Sequence, residues 1–348
     1  MRAMILAAGY GTRLWPLTLD RAKPALPFMG RPLVGYVAEY LARYGCGEIA
    51  VNLHHRPESV RAALGDGQDF GVRFSYIEEP EILGTSGAIG NARAFLDGDT
   101  FIVVNGKIAT DIDLRAALET HRRERALATL VLRRNVEQER YSTVEVAGNL
   151  VTNFGGYPAF TSDNAGGAAR TADERAGRAL EHSGAAEVDA PLMFTGIQIL
   201  EPRIFDYIPH GVFSHSVTDV YVPAIARGER IAAHVGGGMW YELSTIRRYC
   251  DISLALMRLE GRDVQPGRDS LIEPGADVRE AILWEGVRVE AGARVRRAIL
   301  GAGVRIARGE VIEDAAVVRA ALVEGEERPA KSLAGEVRGD NFVVSLAQ

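Results

Sequence analysis

The sequence predicts an α/β domain followed by a solenoid of short parallel strands. Strand-like and helix-like segments alternate through the first 258 residues, which is the pattern of a layered domain with a mixed, mostly parallel sheet. After Gly261, aliphatic residues instead return at a fixed interval, as in repeat proteins whose coils stack to bury their apolar side. The chain of 348 residues is long enough for both parts.

The spacing of apolar residues predicts each segment of the α/β part in turn. Short apolar or alternating runs predict strands at 4–6, 48–53, 72–77, 100–105, 127–132 and 192–200. Apolar residues at helical spacing predict helices at 32–44, 56–64, 83–95, 113–125, 217–226 and 245–259. Residues 161–187 are rich in Gly, Ala, Ser and charge without periodicity, so they are expected to form a surface excursion.

The repeat that follows has a period of 17 residues. It is carried by three interleaved aliphatic series: Ile272, Val289 and Ile306; Val278, Val295 and Ile312; Leu283, Leu300 and Val317. The steps within a coil are close to six and resemble those of hexapeptide-repeat left-handed β-helices, here with about three coils. The predicted domains are therefore 1–258, a β-helix at 270–325 and a tail at 326–348, in which residues 341–346 could pair with an edge strand.

Composition excludes several classes of protein. The net charge of -6 argues against nonspecific nucleic-acid binding, and no apolar run reaches membrane-spanning length. Two cysteines are too few for a disulfide framework. The N-terminus enters a strand directly, so no signal peptide is expected. We therefore expect a cytoplasmic protein with neither nucleic acid nor membrane as a partner.

A glycine loop directly after the first strand is the first candidate site. Gly9 and Gly11 are followed by Thr12 and Arg13, and Lys23 comes ten residues later. Glycine lets a backbone approach a ligand closely, and consecutive N–H groups in such a turn form an anion-binding concavity. Arg13 would offer planar donors to a phosphate, and Lys23 a second positive charge. The short pattern alone fits a tight turn with a surface arginine equally well.

The longer string is far more specific. Residues 6–27 (LAAGYGTRLWPLTLDRAKPALP), with residues 30–33 (GRPL) after them, closely resemble the signature of sugar-1-phosphate nucleotidylyltransferases. The resemblance implies a Rossmann-like nucleotidyltransferase domain whose glycine loop holds the triphosphate. It implies that Arg13 stabilises charge on the α-phosphate under attack and that Lys23 assists. The implied nucleotide contacts in this loop are Leu6, Ala7, Ala8, Gly9, Gly11 and Thr12.

A second segment resembles the family's base-binding motif. Residues 83–87 (LGTSG) are similar to its Leu-Gly-Thr-Ala-Gly, which makes Gly84 and Thr85 nucleotide-binding candidates. Asn52 and His54 follow the second strand, where polar contacts to the base are common in the family. A histidine after a strand is more often a surface or satisfied core residue, so Asn52 is the stronger candidate.

The sugar-binding motifs are only partly kept. Residues 194–197 (FTGI) match a family motif near the sugar, which suggests Thr195 and Gly196, although a glycine inside a strand also serves close packing. The family's Glu-Lys-Pro, whose lysine clamps the sugar phosphate, is replaced at residues 156–158 by Gly-Tyr-Pro. Three arginines of the excursion could fold over a phosphate but are more often solvated: Arg170, Arg175 and Arg178.

The first motif that holds Mg²⁺ in the family departs from the pattern. Asn105 and Gly106 match the family's Asn-Gly-Asp and are predicted nucleotide contacts. Lys107 follows them, at the position of the family's metal-binding carboxylate. An ammonium has no lone pair to give a cation. Three interpretations stay open. Lys107 replaces part of the metal's charge in catalysis, or the site binds nucleotide without turnover, or Asp111 and Asp113 recruit metal in a shifted pose. Asp113 better suits a helix N-cap.

The second metal motif is also altered. Residues 240–245 (WYELST) resemble Trp-x-Asp-x-Gly-Thr, with Glu242 at the ligand position and Ser244 in place of the glycine. Glu242 can bind metal or form a salt bridge with Lys107, because the two positions converge in the family. The candidate Mg²⁺ ligands are thus Glu242, from the resemblance, and the nearby Asp111, whereas Lys107 at the usual ligand position argues against a metal.

The resemblance implies that the chain forms an NDP-sugar and pyrophosphate from an NTP and a sugar-1-phosphate. Overall similarity to the mannose-1-phosphate guanylyltransferase-like branch favours GTP and a GDP-mannose-like product. A β-helix in this family often makes oligomer contacts, so a homo-oligomer is expected. Two alternatives stay open: a catalytically impaired regulatory homologue that binds nucleotide or NDP-sugar and partners an active paralogue, and a structural scaffold.

Overall fold

The computed structural model describes residues 1–136, 141–155 and 190–347, so the predicted excursion, its arginines and the Gly-Tyr-Pro segment lie outside the described residues. Contacts divide the described chain into two compact units. The first comprises residues 1–9, 34–136, 141–155 and 190–241, and the second comprises 10–33 and 242–347. The units follow contacts in space rather than chain order, so the predicted domain boundaries stay predictions.

A nine-stranded sheet forms the centre of the first unit. Its strands are β1 Arg2–Leu6, β2 Glu48–Leu53, β3 Arg73–Glu78, β4 Phe101–Asn105, β5 Ala128–Arg134, β6 Thr143–Ala147, β7 Leu150–Phe154, β8 Leu192–Leu200 and β9 Ile231–Val235. Their spatial order is β3-β2-β1-β4-β8-β5-β9-β7-β6. Only β7 and β8 run against β1 among these described strands, which confirms a mixed, mostly parallel sheet.

The helices of the α/β part lie close to the predicted positions. They are α1 Leu33–Arg43, α2 Pro57–Leu64, α3 Gly84–Asn91, α4 Arg93–Leu96, α5 Leu114–Glu124 and α6 Val222–Ala226. The predicted N-cap is confirmed, because the Asp113 carboxylate accepts a hydrogen bond of 2.9 Å from the Arg115 amide. Within the described part of the chain, no helix has the length and apolarity needed to cross a membrane.

Two helix predictions needed correction. The helix predicted at 83–95 is interrupted at Ala92, where the amide hydrogen bonds to both Ala88 and Ile89. The helix predicted at 217–226 begins instead with a wide π-type turn, Ser216–Tyr221. Pro223 has no N–H to donate, so the regular hydrogen-bond ladder cannot run through this point.

Stacked coils dominate the second unit and confirm the β-helix. The strands Asp277–Leu283, Arg294–Leu300 and Val311–Arg319 pair in parallel, one period apart in register. A second face pairs the shorter strands Leu271–Ile272, Arg288–Val289 and Arg305–Ile306 in the same register. Val289, Val295 and Ile306 of the aliphatic series are fully buried, whereas Ile272 at the start of the first series is exposed.

The ends of the β-helix are covered by further elements of the same unit. Strand Val264–Gln265 pairs with the first coil, and helix α7, Ile246–Leu259, begins at a Thr245 cap. Asn341–Ser345 pairs antiparallel with Val311–Arg319, which confirms the predicted edge pairing, and Gly335–Arg338 adds the outermost strand.

Candidate active site

The carboxyl ends of three adjacent parallel strands bring predicted site residues of the first unit together. Leu6 at the end of β1 is in register with Asn52 of β2 and with Asn105 of β4. The loop 7–9 continues from β1, and Gly106 follows β4, where its amide donates to the Leu6 carbonyl at 2.9 Å. In open α/β sheets ligands bind beyond this edge, so the predicted nucleotide contacts lie where the fold favours a ligand.

Asn52 connects the glycine loop to a buried carboxylate that sequence reasoning missed. Its Oδ1 accepts a hydrogen bond of 2.7 Å from the Ala7 amide, and its Nδ2 donates to Glu79 Oε1 at 2.7 Å. Glu79 Oε2 accepts from the Leu83 amide at 3.0 Å, and the Glu79 carbonyl accepts from His54 Nδ1 at 2.8 Å. Asn52 and Glu79 therefore fix the glycine loop relative to the segment before α3. A nucleotide contact of Asn52 stays a prediction.

Removing the Glu79 carboxylate should destabilise this edge strongly. Glu79→Ala leaves the Asn52 amide and the Leu83 N–H without their acceptor in the interior, and each loss costs about 1–3 kcal/mol. We expect the free energy of unfolding, measured by urea denaturation, to fall by about 2–4 kcal/mol. Glu78→Ala, which removes a surface ion pair with Arg61, is the control and should cost under about 1 kcal/mol. Equal losses of unfolding free energy in the two variants would contradict the structural role assigned to Glu79.

The LGTSG motif packs tightly against residues 212–216 of the same unit. Gly84 has φ +74°, and a Cβ there would lie 2.4 Å from the Ser214 carbonyl oxygen, so only glycine fits. The Thr85 hydroxyl accepts a hydrogen bond of 2.8 Å from the Ser216 amide. The motif thus has a structural role that the sequence did not indicate. Base or ribose contacts of Gly84 and Thr85 stay predictions.

A β-bulge in β8 places Gly196 against Asn105. The register of β8 with β5 shifts between Phe194 and Ile197, and Gly196 has φ +82°. A Cβ on Gly196 would lie 2.1 Å from Asn105 Nδ2, so close packing requires this glycine. Thr195 is buried, and its hydroxyl donates to the Val131 carbonyl at 2.7 Å. Sugar contacts of both residues stay predictions.

Lys107 lies half-buried in the turn after β4, at the same sheet edge as the glycine loop. Asp111 follows the short strand Ile108–Thr110, which begins directly after Lys107. The Asp111 Oδ1 accepts a hydrogen bond of 2.6 Å from the Met239 amide. Asp111 therefore anchors the loop before residue 240.

The residue at the family's usual metal-ligand position cannot ligate Mg²⁺, and two nearby carboxylates have hydrogen-bond partners of their own. An ammonium at residue 107 repels a cation, Asp111 is engaged with the Met239 amide, and Asp113 caps α5. Across the described ranges, no group of three or more His, Cys, Asp and Glu side chains is placed to hold a metal ion. Glu242 belongs to the second unit, where it is buried and its carbonyl accepts from Arg248 Nε at 2.8 Å.

The rest of the glycine loop lies in the second unit and brings Gly11 close to Lys23. Gly11 has φ +66°, and the Leu14 amide donates to its carbonyl at 2.8 Å, which closes a 3₁₀ turn over Thr12–Leu14. A Cβ on Gly11 would lie 3.0 Å from Lys23 Cβ. Lys23 is largely buried, whereas Arg13 on the turn is exposed and accessible to a ligand.

A glycine loop at the carboxyl edge of a mostly parallel sheet is typical of nucleotide-binding α/β proteins. Residues 2–258 match the family described as Nucleotidyl transferase, and residues 267–322 match the GlmU-like, C-terminal hexapeptide family. The chain belongs to the nucleotidyl transferase family.

Individual relatives agree with this assignment. A UTP–glucose-1-phosphate uridylyltransferase from Synechocystis sp. is 30% identical over 83% of this chain and 72% of its own length. A mannose-1-phosphate guanylyltransferase from Mycobacterium tuberculosis is 28% identical over 82% of this chain and 80% of its own. The crystal structure of HddC from Yersinia pseudotuberculosis shares the fold, with a TM-score of 0.54 and 23% identity over 71% of this chain and 96% of HddC.

Proposed function

We propose that this chain is a sugar-1-phosphate nucleotidylyltransferase that forms an NDP-sugar and pyrophosphate. The observation that carries the proposal is the sheet edge where Leu6, Asn52 and Asn105 end adjacent parallel strands and the glycine loop begins. Family membership and the sugar-1-phosphate nucleotidyltransferases among its relatives support the same reaction.

The reaction is a displacement at phosphorus. An oxygen of the sugar-1-phosphate forms a bond to the α-phosphorus of the NTP while the bond to the bridging oxygen of the β-phosphate breaks and pyrophosphate leaves. Catalysis of this kind is mostly positioning and neutralisation of charge. We assign Arg13 and Lys23 to the α-phosphate, and Lys107 to the positive charge that a carboxylate-bound metal supplies elsewhere in the family.

GTP and mannose-1-phosphate are the proposed substrates, and a GDP-sugar the product. Guanylyltransferases acting on mannose-1-phosphate among the relatives support GTP, whereas the Synechocystis relative makes UTP and glucose-1-phosphate the main competitors. We also propose that the protein is a cytoplasmic homo-oligomer. Light scattering by the purified chain would measure the mass of the oligomer.

The test is pyrophosphate release by the purified chain with four NTPs, each combined with mannose-, glucose- and amino-sugar-1-phosphates. Mass spectrometry would identify the product. Turnover with one pair establishes the enzyme and its specificity. Tight nucleotide binding by calorimetry without turnover for any pair would overturn the proposed reaction in favour of the regulatory homologue.

A substitution at Gly9 distinguishes a ligand contact of the glycine loop from a purely structural role. It is exposed, and a Cβ there would meet no atom within 4 Å, so the fold does not require glycine. We expect Gly9→Ala to change the free energy of unfolding by less than about 1 kcal/mol but to weaken nucleotide binding roughly tenfold, because the methyl group occupies space that a phosphate needs. Calorimetry and urea denaturation measure the two effects.

Gly47→Ala is the matched control for Gly9→Ala. Gly47 is also exposed, with open space around it, and it precedes β2 at the opposite, amino end of the parallel strands. Equal nucleotide affinity of the two variants would show that the loop does not contact the phosphates.

A further inference from the structure

The segment that carries Arg13 and Lys23 is held by side chains of the β-helix within the second unit. We call residues 10–33 the signature segment. One attachment is Arg21, two residues before Lys23, whose Nη2 donates to Glu285 Oε1 at 2.5 Å and whose Nη1 lies 3.4 Å from Oε2. Glu285 lies after the strand Asp277–Leu283, in the first coil of the β-helix. The guanidinium thus binds this carboxylate through two donors.

Further contacts fix the orientation of Arg21. Its guanidinium lies 4.8 Å from the ring centroid of buried Trp284, and its Nε and Nη2 donate to the neighbouring Asp20 carboxylate at 3.1 and 3.0 Å. Partial burial alone would raise the pKa of the Glu285 carboxyl, but hydrogen bonding and charge from Arg21 hold that pKa below its usual value. The pair is therefore ionised at neutral pH, in a setting less exposed than an ordinary surface ion pair.

Buried hydrogen bonds connect the same coil to the next part of the signature segment. Trp284 Nε1 donates to the Tyr249 hydroxyl at 3.1 Å, and that hydroxyl donates to the Pro27 carbonyl. Trp284 and Tyr249 are both almost fully buried. Earlier in the segment, the Trp15 ring packs edge-on against Phe342 with the centroids 5.5 Å apart. The segment is thus attached before and after Lys23.

We propose that Arg21 is a positioning residue. Its contacts with Glu285 and Trp284 make the placement of Arg13 and Lys23 depend on the first coil of the β-helix. Lys23 packs against Gly11, so a shift at Arg21 passes along the segment to the turn that carries Arg13. The consequence for catalysis rests on the proposed function, because it requires Arg13 and Lys23 to act on the phosphates. Misplacing such groups by about 1 Å can cost a hundredfold in rate.

A double-mutant cycle on Arg21 and Glu285 tests the proposal. Glu285→Ala and Arg21→Ala should each lower kcat/KM by on the order of tenfold, with most of the loss in kcat. The double variant should be no worse than Arg21→Ala, because the two side chains act as one unit. Glu285→Gln keeps the shape and one acceptor, so it should recover part of the loss. Additive effects, or no recovery by Gln, would overturn the coupling.

The control is a second arginine–glutamate ion pair of the same unit, at residues 258 and 280. Arg258 Nη2 pairs with Glu280 Oε1 at 2.5 Å between α7 and the β-helix, and Arg258→Ala should leave kcat/KM within about twofold of the wild type. A similar loss in this control would mean that Arg21 acts only through overall stability.

Amide hydrogen exchange gives a readout that does not depend on turnover. Peptides from residues 10–33 should exchange faster in Glu285→Ala than in the wild type, and no faster in Arg258→Ala. Unchanged exchange in Glu285→Ala would overturn the positioning role. Faster exchange in Glu285→Ala, together with a wild type that shows no turnover, would keep the positioning role and remove the proposed function.

Discussion

Replacing Arg13 with alanine is expected to lower kcat/KM by on the order of a thousandfold, the largest loss from any single side chain of the site. The guanidinium is assigned to the charge that develops on the α-phosphate, and removing one such preorganised donor typically costs 10²–10³ or more. Arg13 is exposed on the turn Thr12–Leu14, so the same change should alter the free energy of unfolding by less than about 1 kcal/mol. Pyrophosphate release and urea denaturation measure the two quantities.

Arg288→Ala provides the control for Arg13→Ala. Arg288 is an exposed arginine on a β-helix strand of the same unit, and its loss removes the same net charge. We expect normal turnover in this variant. If Arg13→Ala kept more than about a tenth of wild-type kcat/KM, the assignment of Arg13 to the α-phosphate would be wrong.

Lys107 is expected to produce the second large effect. Lys107→Ala removes the positive charge from the turn after β4 and should lower kcat by about a hundredfold or more, whatever the metal concentration. Lys107→Asp recreates the family's Asn-Gly-Asp, so its turnover should appear only with added Mg²⁺. Pyrophosphate release is measured for both variants with Mg²⁺ and with a chelator.

Lys331→Ala, at an exposed lysine of the second unit, controls for the loss of one lysine charge and should keep full activity. An inactive wild type together with an active, Mg²⁺-dependent Lys107→Asp variant would contradict the proposed role of Lys107. That result would identify the chain as a homologue that lost catalysis through this one substitution.

The sequence predicted the parts of the fold in which a local pattern repeats. The register of Val278, Val295 and Ile312 follows from the period of their series, because each coil of a β-helix must place equivalent residues on equivalent sides. The glycine loop was predicted at the end of the first strand for a similar reason, since a buried strand, two glycines and an arginine lie within a few residues. These features depend on neighbours in the chain.

The parts that could not be predicted depend on contacts between distant residues. Glu78 and Glu79 are adjacent carboxylates, yet only Glu79 is buried between Asn52 and Leu83, and no periodicity distinguishes the two. Arg21 and Glu285 are separated by 264 residues, and nothing in either local sequence indicates the pair. The strands β6, β7 and β9 were also missed, because they are short and polar residues interrupt their apolar pattern.

The difference between the features that could and could not be predicted has a physical basis. Periodic burial leaves a signature in every segment, whereas a buried polar contact requires only one residue from each partner. Gly84 and Gly196 were singled out as ligand contacts, but the structure gives each a packing reason for being glycine, against Ser214 and Asn105 respectively. A resemblance in sequence therefore identifies the region of a site more securely than the role of each residue within it.

The most direct test of the account is the metal dependence of the wild-type chain. Pyrophosphate release would be followed with GTP and mannose-1-phosphate, or with the best pair found, in the presence of Mg²⁺ and in the presence of a chelator. If Lys107 supplies the positive charge at the sheet edge, turnover survives the chelator with a change of less than about threefold. Turnover that disappears with the chelator and returns with Mg²⁺ would contradict this assignment and show that the chain recruits a cation despite its lysine.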